Sequence, residues 1–464
     1  MEPNAARGSR SSIRWPGEGD PPGGDSDDSA FGGSNAISPA THRERTVIVG
    51  LQTVDVSRNQ VDESLDELVR LADTYGLETR RRWIQVRPKP SPPTFIGKGK
   101  ALQIADEAKL DGVTTAIFDD DLSPGQHRNL EHLTGLRVMD RCELILEIFR
   151  RNARSYAAKI QVELAQLRYM LPRLTGAWSH FSRQRGGVVV RGAGETQLEV
   201  DRRLVRKRIG SLEKKLAGIS QQRKTRREGR LDELSVALVG YTNSGKSTLM
   251  NGLTGSHVLV EDKLFATLDS TVRHITPADH PDILLTDTVG FIKKLPHGLI
   301  ASFKSTLEEV HVANLLLHVI DLSDSDFQHK IEYTAEVLHE IDCDEKPRLM
   351  VFNKIDLLSQ PSKLPAIVRS IYKNSICVSG ETGEGLADLK EMIFRHFYVK
   401  WNAREILLDY DRSSLLSSLY DFAKVEEVDY RPDGIHIRFR CSDTEFSRLQ
   451  ISLGLDPDAA TGKA

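Results

Sequence analysis

The sequence predicts an α/β fold: a P-loop domain, preceded by an α/β domain with a long helical hairpin and followed by a small α+β domain. Three observations carry that reading. Apolar runs of strand length, bounded by turn residues and followed by helical spacing, recur along the chain. One of them, Ser235-Val236-Ala237-Leu238-Val239, runs into GYTNSGKST (Gly240 to Thr248) and then the apolar-periodic Leu249 to Leu253. That is the strand, glycine-rich turn and helix start that a phosphate-binding loop requires. Finally, two stretches upstream carry narrow apolar seams with alternating steps of four and three residues.

Taken in order, residues 1–44 read as a disordered tail: nineteen of the first 40 are Gly, Pro or Ser, and Asp25, Asp27 and Asp28 cluster acidic charge. They hold no apolar secretory core, and the acids argue against an organellar transit peptide. Residues 45–140 form an α/β layer, with strands at Val47 to Leu51 and Ala116 to Phe118 and helices at Ser64 to Tyr75 and Gln126 to Leu133. Phe95 to Lys100 reads as a Gly/Lys turn able to touch phosphate. Residues 141–231 are a basic helical hairpin, with seams at Ile160, Leu164, Leu167 and Leu171, and at Val205, Ile209, Leu212, Leu216 and Ile219. Its tip, Gly176 to Gly194, interleaves Trp178, His180 and Phe181 with Arg183, Arg185 and Arg191, residues suited to stacking on unpaired bases while binding phosphates. Residues 232–399 hold the nucleotide segments. Residues 400–455, with a helix at Arg412 to Phe422 and a strand at His436 to Phe439, form the α+β module, and 456–464 a frayed end.

Five segments in fixed order describe one guanine-nucleotide pocket: GYTNSGKST, FATLD (Phe265 to Asp269), DTVGF (Asp287 to Phe291), NKID (Asn353 to Asp356) and Ser379-Gly380. Gly240 and Gly245 let the backbone curl so that N–H groups point at phosphates, aided by the helix N-terminus. Lys246 reaches the β- and γ-phosphates, and the Ser247 hydroxyl ligates Mg²⁺. Asp287 ends a buried strand beside the metal, and Gly290 lets a backbone N–H approach the γ-phosphate. Thr267 completes the Mg²⁺ shell while that phosphate is present. The Asp356 carboxylate accepts from N1–H and the exocyclic amine of guanine, donors that adenine does not present there. The Lys354 stem lies along the purine, Asn353 ties its loop to the phosphate loop, and Ser379 with the Gly380 N–H closes the pocket at O6. The candidate nucleotide contacts are therefore Gly240, Tyr241, Thr242, Asn243, Ser244, Gly245, Lys246 and Ser247; Phe265, Ala266, Thr267, Leu268 and Asp269; Asp287, Thr288, Val289 and Gly290; Asn353, Lys354, Ile355 and Asp356; and Ser379 with Gly380. Lys246, Thr267 and Gly290 are the catalytic candidates, and Ser247 and Thr267 the metal ligands. Phe291 stands where Ras-like switches place a water-positioning Gln, so slow intrinsic hydrolysis of GTP is expected.

Bulk numbers narrow the partners. No run of about 18 apolar residues exists, which excludes a membrane-spanning helix. Cys142, Cys343, Cys377 and Cys441 are scattered without a CxxC pair, as expected for reduced thiols and no zinc site. From Arg141 to Arg230 there are 22 Lys/Arg against 8 Asp/Glu, a net of +14; subtracted from the whole-chain −3, this leaves −17 elsewhere. A positive segment in an acidic molecule is the footprint of a polyanion partner.

Beyond the nucleotide segments, the blocks FIGKGK (Phe95 to Lys100), FDDDLSPGQHRNLE (Phe118 to Glu131), QVELAQLRYMLPRL (Gln161 to Leu174) and GAGETQLEVDRR (Gly192 to Arg203) resemble the HflX-type GTPases of the Obg–HflX group, over roughly residues 45 to 455. The resemblance implies an N-terminal α/β domain, a helical hairpin, a P-loop GTPase domain and a small C-terminal domain. It further implies a cytoplasmic protein, monomeric when free, that binds the large ribosomal subunit and its rRNA and splits or rescues ribosomes under stress. The hairpin loop, here Trp178 to Arg191, would reach toward the peptidyl-transferase centre. An rRNA-binding assembly factor timed by GTP is the alternative. Two positions depart from the family: Ser379-Gly380 stands where Ser-Ala is common, and Ser270 where Pro often follows FATLD.

Overall fold

The computed structural model describes residues 43–174, 197–228, 234–255, 264–265, 270–276, 282–294, 309–360, 363–398 and 401–453. The candidate contacts Ala266, Thr267, Leu268 and Asp269, and the hairpin-tip residues Trp178, His180, Phe181, Arg183, Arg185 and Arg191, lie outside them.

A four-stranded parallel sheet comes first, ordered β2-β1-β3-β4, from β1 (Arg45–Gln52), β2 (Glu78–Val86), β3 (Thr115–Phe118) and β4 (Arg137–Asp140). The connecting helices are α1 (Arg58–Tyr75), α2 (Lys98–Asp111) and α3 (Pro124–Thr134). Ser57 and Ser123 start α1 and α3 with reciprocal capping boxes to Gln60 and Gln126, and left-handed Gly76 and Gly135 end them. Both strands and helices appear where the apolar runs place them, but β2 and α2 extend that reading. The β2 sequence, ETRRRWIQV, is too charged to read as a strand; it sits at the sheet edge, where one flank meets solvent. In FIGKGK, Phe95 and Ile96 are buried and Gly97 is the N-cap of α2, with its N–H bonded to Gln85 Oε1 at 2.8 Å.

Helix α4 (Arg141–Asn152) packs its Leu144, Ile145, Ile148 and Phe149 into the core under α1. The hairpin proper is α5 (Tyr156–Met170) against α6 (Gln197–Glu228). Ile160, Leu164, Leu167 and Leu212 are its buried seam, joined by Val205, Ile209, Leu216 and Ile219. Leu171 falls beyond α5, in a 3-10 turn, because Pro172 cannot continue the helical bonding. Arg208–Glu163 and Arg168–Glu213 pair across the seam at 2.8 and 2.7 Å. Arg203, Arg206, Lys207, Lys214 and Lys215 stay exposed on α6.

The central sheet has six strands in the order β10-β9-β8-β5-β7-β6. They are β5 (Leu234–Val239), β6 (Thr271–Ile275), β7 (Ile283–Asp287), β8 (Leu315–Asp321), β9 (Arg348–Asn353) and β10 (Ser375–Cys377), parallel except for β6. Its interior strands are near-continuous apolar runs, as a sheet covered on both faces demands. Helices α7 (Lys246–Thr254), α8 (Phe327–Glu340), α9 (Lys363–Ile371) and α10 (Leu386–Tyr398) cover it. The order brings the C-terminal ends of β5, β7, β8 and β9 side by side, the crevice where such sheets bind ligands. A third, antiparallel sheet, β11-β13-β12, comprises β11 (Asn402–Leu408), β12 (Lys424–Arg431) and β13 (Gly434–Cys441), with α11 (Ser414–Phe422) and α12 (Asp443–Leu453). All four cysteines are free and buried. Among the described residues no helix is long and apolar enough to cross a membrane.

Candidate nucleotide site

β5 delivers the chain to Gly240, and α7 begins at Lys246, so the loop between them lies at the rim of the crevice. Gly245 takes φ +88°, and a Cβ there would sit 2.2 Å from Asn353 Nδ2; only glycine fits. Asn353, at the end of β9, donates Nδ2 to the Ser244 carbonyl at 2.9 Å and accepts the Gly380 N–H on Oδ1 at 2.9 Å. One buried side chain thus ties the phosphate loop, the NKID segment and Ser379-Gly380 together. Lys246 Nζ donates to the carbonyls of Gly240 (3.2 Å) and Tyr241 (2.8 Å). Burial pushes its ammonium down to about 8, against the pull of Asp287 and with a smaller push from Lys354.

Ser247 Oγ donates to Asp287 Oδ2 at 2.6 Å, joining the start of α7 to the end of β7. The chain after β7 then runs along the loop: Thr288 Oγ1 donates to Leu238 O at 2.6 Å, Phe291 N–H to Gly240 O at 3.1 Å, and Thr242 N–H to Phe291 O at 2.7 Å. Gly290 lies so close that a Cβ would come within 2.8 Å of Thr242 Cα and 3.0 Å of Lys246 Nζ. Val289 turns the other way, into the core under α1. Phe291 is buried beside Val239, Leu316, Val337 and Leu338. Its ring is a core group with no access to a reacting water. Phe291→Gln is therefore expected to cost about 2 kcal/mol or more of stability, by burying an amide among hydrocarbons, without raising turnover. Thermal melts and single-turnover assays check both.

On the base side, Asp356 Oδ1 accepts from Ser379 Oγ at 2.5 Å, and Ser379 Oγ accepts the Thr382 N–H at 3.1 Å. The carboxylate is held in orientation by a serine that is itself held. Buried Ile355 begins the 3-10 turn that presents Asp356, and Lys354, at φ +63°, pairs with Asp321 Oδ2 at 2.8 Å. Asp321, at the end of β8, has no motif around it to mark it in the sequence. Phe265 turns away from the crevice, its ring edge-on to Phe149 at 4.6 Å and its carbonyl accepting from Asn152 Nδ2 at 2.8 Å.

A charged network behind the loop went unread in the sequence. Tyr241, a member of the phosphate loop, packs into the first core instead: its OH donates to Glu67 Oε1 of α1 at 2.6 Å and accepts the Lys293 N–H at 2.7 Å. Arg141, 1% exposed, donates to Glu67 Oε2 (2.6 Å), to Asp119 Oδ1 (2.9 Å) and to the Lys293 carbonyl (3.1 Å). Lys294 Nζ reaches Asp119 and Asp120, both at 2.5 Å. Burial alone would raise the Asp119 carboxyl; Arg141 and Lys294 overcome it and hold it at about 2. Lys293 and Lys294 follow DTVGF after the single residue Ile292, so the first sheet grips the segment that leaves the crevice.

Comparison with known proteins gives matches over most of residues 62–463. Four family profiles match in series: "GTP-binding GTPase N-terminal" over residues 62–150, "GTP-binding GTPase Middle Region" over 152–230, "50S ribosome-binding GTPase" over 235–354 and "HflX C-terminal domain" over 368–463. The chain is 43% identical over 392 residues to GTPase HflX of Escherichia coli K12, covering 83% of this chain and 92% of that one. The chain belongs to the HflX family of GTPases. Similar relatives include GTPase HflX of Flavobacterium psychrophilum, 49% identical over 313 residues (68% of this chain, 76% of that one). Another is GTPase HflX of Caldanaerobacter subterraneus, 42% identical over 401 residues (86% and 91%). Like other members of the HflX family, the chain binds a guanine nucleotide through its P-loop domain and is a GTPase.

Proposed function

We propose that this HflX-type GTPase binds the large ribosomal subunit and uses GTP-dependent rearrangement of the segment around Gly290 to split or rescue ribosomes. The observation that carries the reading is the joining of Gly290-Phe291 to the phosphate loop on one side and of Lys293-Lys294 to Arg141 and Asp119 on the other. A change at the γ-phosphate would thus reach the sheet that carries the hairpin. Lys246 and the N–H groups of Asn243 to Ser247 would hold the phosphates, Gly290 would meet the γ-phosphate, and Asp356 would select guanine. Ser247 Oγ and Asp287 Oδ2 are hard oxygen donors 2.6 Å apart, a pair that suits Mg²⁺. Ser247 would ligate the ion, with Thr267, and Asp287 would stand beside it. Bound there, Mg²⁺ would neutralise charge on the β- and γ-phosphates.

With the Phe291 ring in the core, no side chain at that position orients water, and turnover by the isolated chain is expected to be slow until a partner or cation supplies the alignment. The exposed cations of α6, with Trp178, His180, Phe181, Arg183, Arg185 and Arg191 at the tip, would face rRNA. Sedimentation of intact ribosomes with the protein and a non-hydrolysable GTP analogue tests the reading: free subunits support splitting, whereas comigration only with precursor particles points to assembly. Binding to rRNA should also weaken steeply as salt rises. An affinity indifferent to salt would remove the basic hairpin from the interface.

A further inference from the structure

The lysine of NKID is held in a way that its motif does not require. Lys354 stands at φ +63°, in the left-handed region that a residue other than glycine adopts only where surrounding contacts hold it. One such contact comes from the end of β8. Asp321 lies directly across from Asn353 in the parallel pairing of β8 with β9, and the Leu322 N–H donates to the Asn353 carbonyl at 3.0 Å. The Asp321 carboxylate divides its two oxygens. Oδ1 accepts the Ser323 N–H at 3.0 Å and the Ser323 hydroxyl at 2.5 Å, while Oδ2 accepts Lys354 Nζ at 2.8 Å. A carboxylate clamped on one oxygen cannot swing, so the ammonium on the other is fixed as well. The lysine and aspartate side chains are 22% and 18% exposed, which shields the pair yet leaves the lysine stem within reach of a ligand.

The stem runs beside the phosphate loop: a Cβ on Gly245 would meet Lys354 Cε at 4.0 Å, ordinary contact distance. A free ammonium there, on a flexible four-carbon stem, would be ordered only when a nucleotide arrived and would be drawn to its phosphates. We propose that Asp321 is a positioning residue for the purine: by pinning the Lys354 ammonium, it keeps the alkyl stem in place as a wall against which the base lies. The inference rests on the base-side reading of NKID proposed above. Asp321 touches no nucleotide atom in this role and acts through Lys354 alone. It lowers the ordering cost of binding for every purine nucleotide alike, whereas Asp356 chooses among them.

Equilibrium binding and dissociation of GDP and a non-hydrolysable GTP analogue, measured on the full chain, test the proposal. Asp321→Asn should weaken both by the same factor, about threefold to tenfold, the cost of ordering one long side chain. The loss should fall on the dissociation rate. The Mg²⁺ concentration for half-maximal binding of the analogue, and the preference for GTP over ATP, should stay as in the unsubstituted chain. In a Lys354→Met background, which keeps an apolar stem without the charge, Asp321→Asn should make no further difference. Ser323→Ala removes one of the two bonds on Oδ1 and should give a smaller loss of the same kind; it decides alone should Asp321→Asn fail to fold. Three results overturn the proposal. Unchanged affinity in Asp321→Asn, or in Ser323→Ala standing in for it, leaves the pair a structural brace. A larger loss for the analogue than for GDP places the damage at the phosphate loop. A full loss that persists in Lys354→Met separates Asp321 from the lysine. An unsubstituted chain with no preference for GTP over ATP would overturn the base-side reading itself, and this proposal with it.

Discussion

Replacing Asp356 by Asn is expected to cut GTP affinity by about a hundredfold or more, because a charge-assisted bond contributes on the order of 1.5–3 kcal/mol and two are weakened or lost. The geometry makes the loss specific. Asp356 is fixed by Ser379 Oγ at 2.5 Å, so its carboxylate is aimed before any base arrives. An amide in its place keeps an acceptor for N1–H but turns a donor toward the exocyclic amine of guanine. That same donor suits a base with a carbonyl at this position. Asp356→Asn should therefore gain affinity for xanthosine triphosphate as it loses GTP, which a general unfolding of the site cannot mimic. Competition binding with GTP, ATP and xanthosine triphosphate checks it; a variant that keeps its full preference for GTP would remove Asp356 from the base pocket.

Arg141→Met is the second large expected effect. The guanidinium is buried between Glu67 and Asp119, and removing it leaves two carboxylates short of a counter-charge, a loss of about 3–5 kcal/mol. Acid titration separates this from a packing defect. Asp119 titrates at about 2 in the folded chain against 3.8 ordinarily, so its contribution is present above pH 4 and is lost as pH falls from about 4 through 2. The depression amounts to about 2 kcal/mol. Without Arg141, burial acts on Asp119 with Lys294 and the Ser64 hydroxyl left to oppose it, and the acid-unfolding midpoint should move to higher pH. Asp119→Asn in the Arg141→Met background should restore part of the acid resistance. Amide exchange should also quicken at residues 291–294, where Arg141 holds the Lys293 carbonyl. An unchanged acid midpoint would show that the network carries little stability.

The expected and observed elements differ where burial is one-sided. Buried strands β5, β7, β8 and β9 and the hairpin seam carry their periodicity openly, since every side chain on a covered face must be apolar. The edge strands β2, β11 and β12 and the four-residue β4 carry charge or are too brief to show a period, and only pairing with a neighbour defines them. The candidate nucleotide residues stood out for a different reason. A phosphate loop works through its own backbone, and NKID through a side chain at a fixed offset from a strand end, so local spacing specifies the chemistry.

By itself, then, the sequence determined the phosphate loop, the candidate base-facing aspartate, the basic hairpin and the family, because each is written in residues close together along the chain. Only the tertiary structure decided that Tyr241 faces Glu67 of α1, 174 positions away, that Phe291 fills a core, and that Arg141 reaches Lys293 across 152 positions. Contacts of that separation follow from how two sheets pack, and the pairing of buried charges across them leaves no period for a sequence to display.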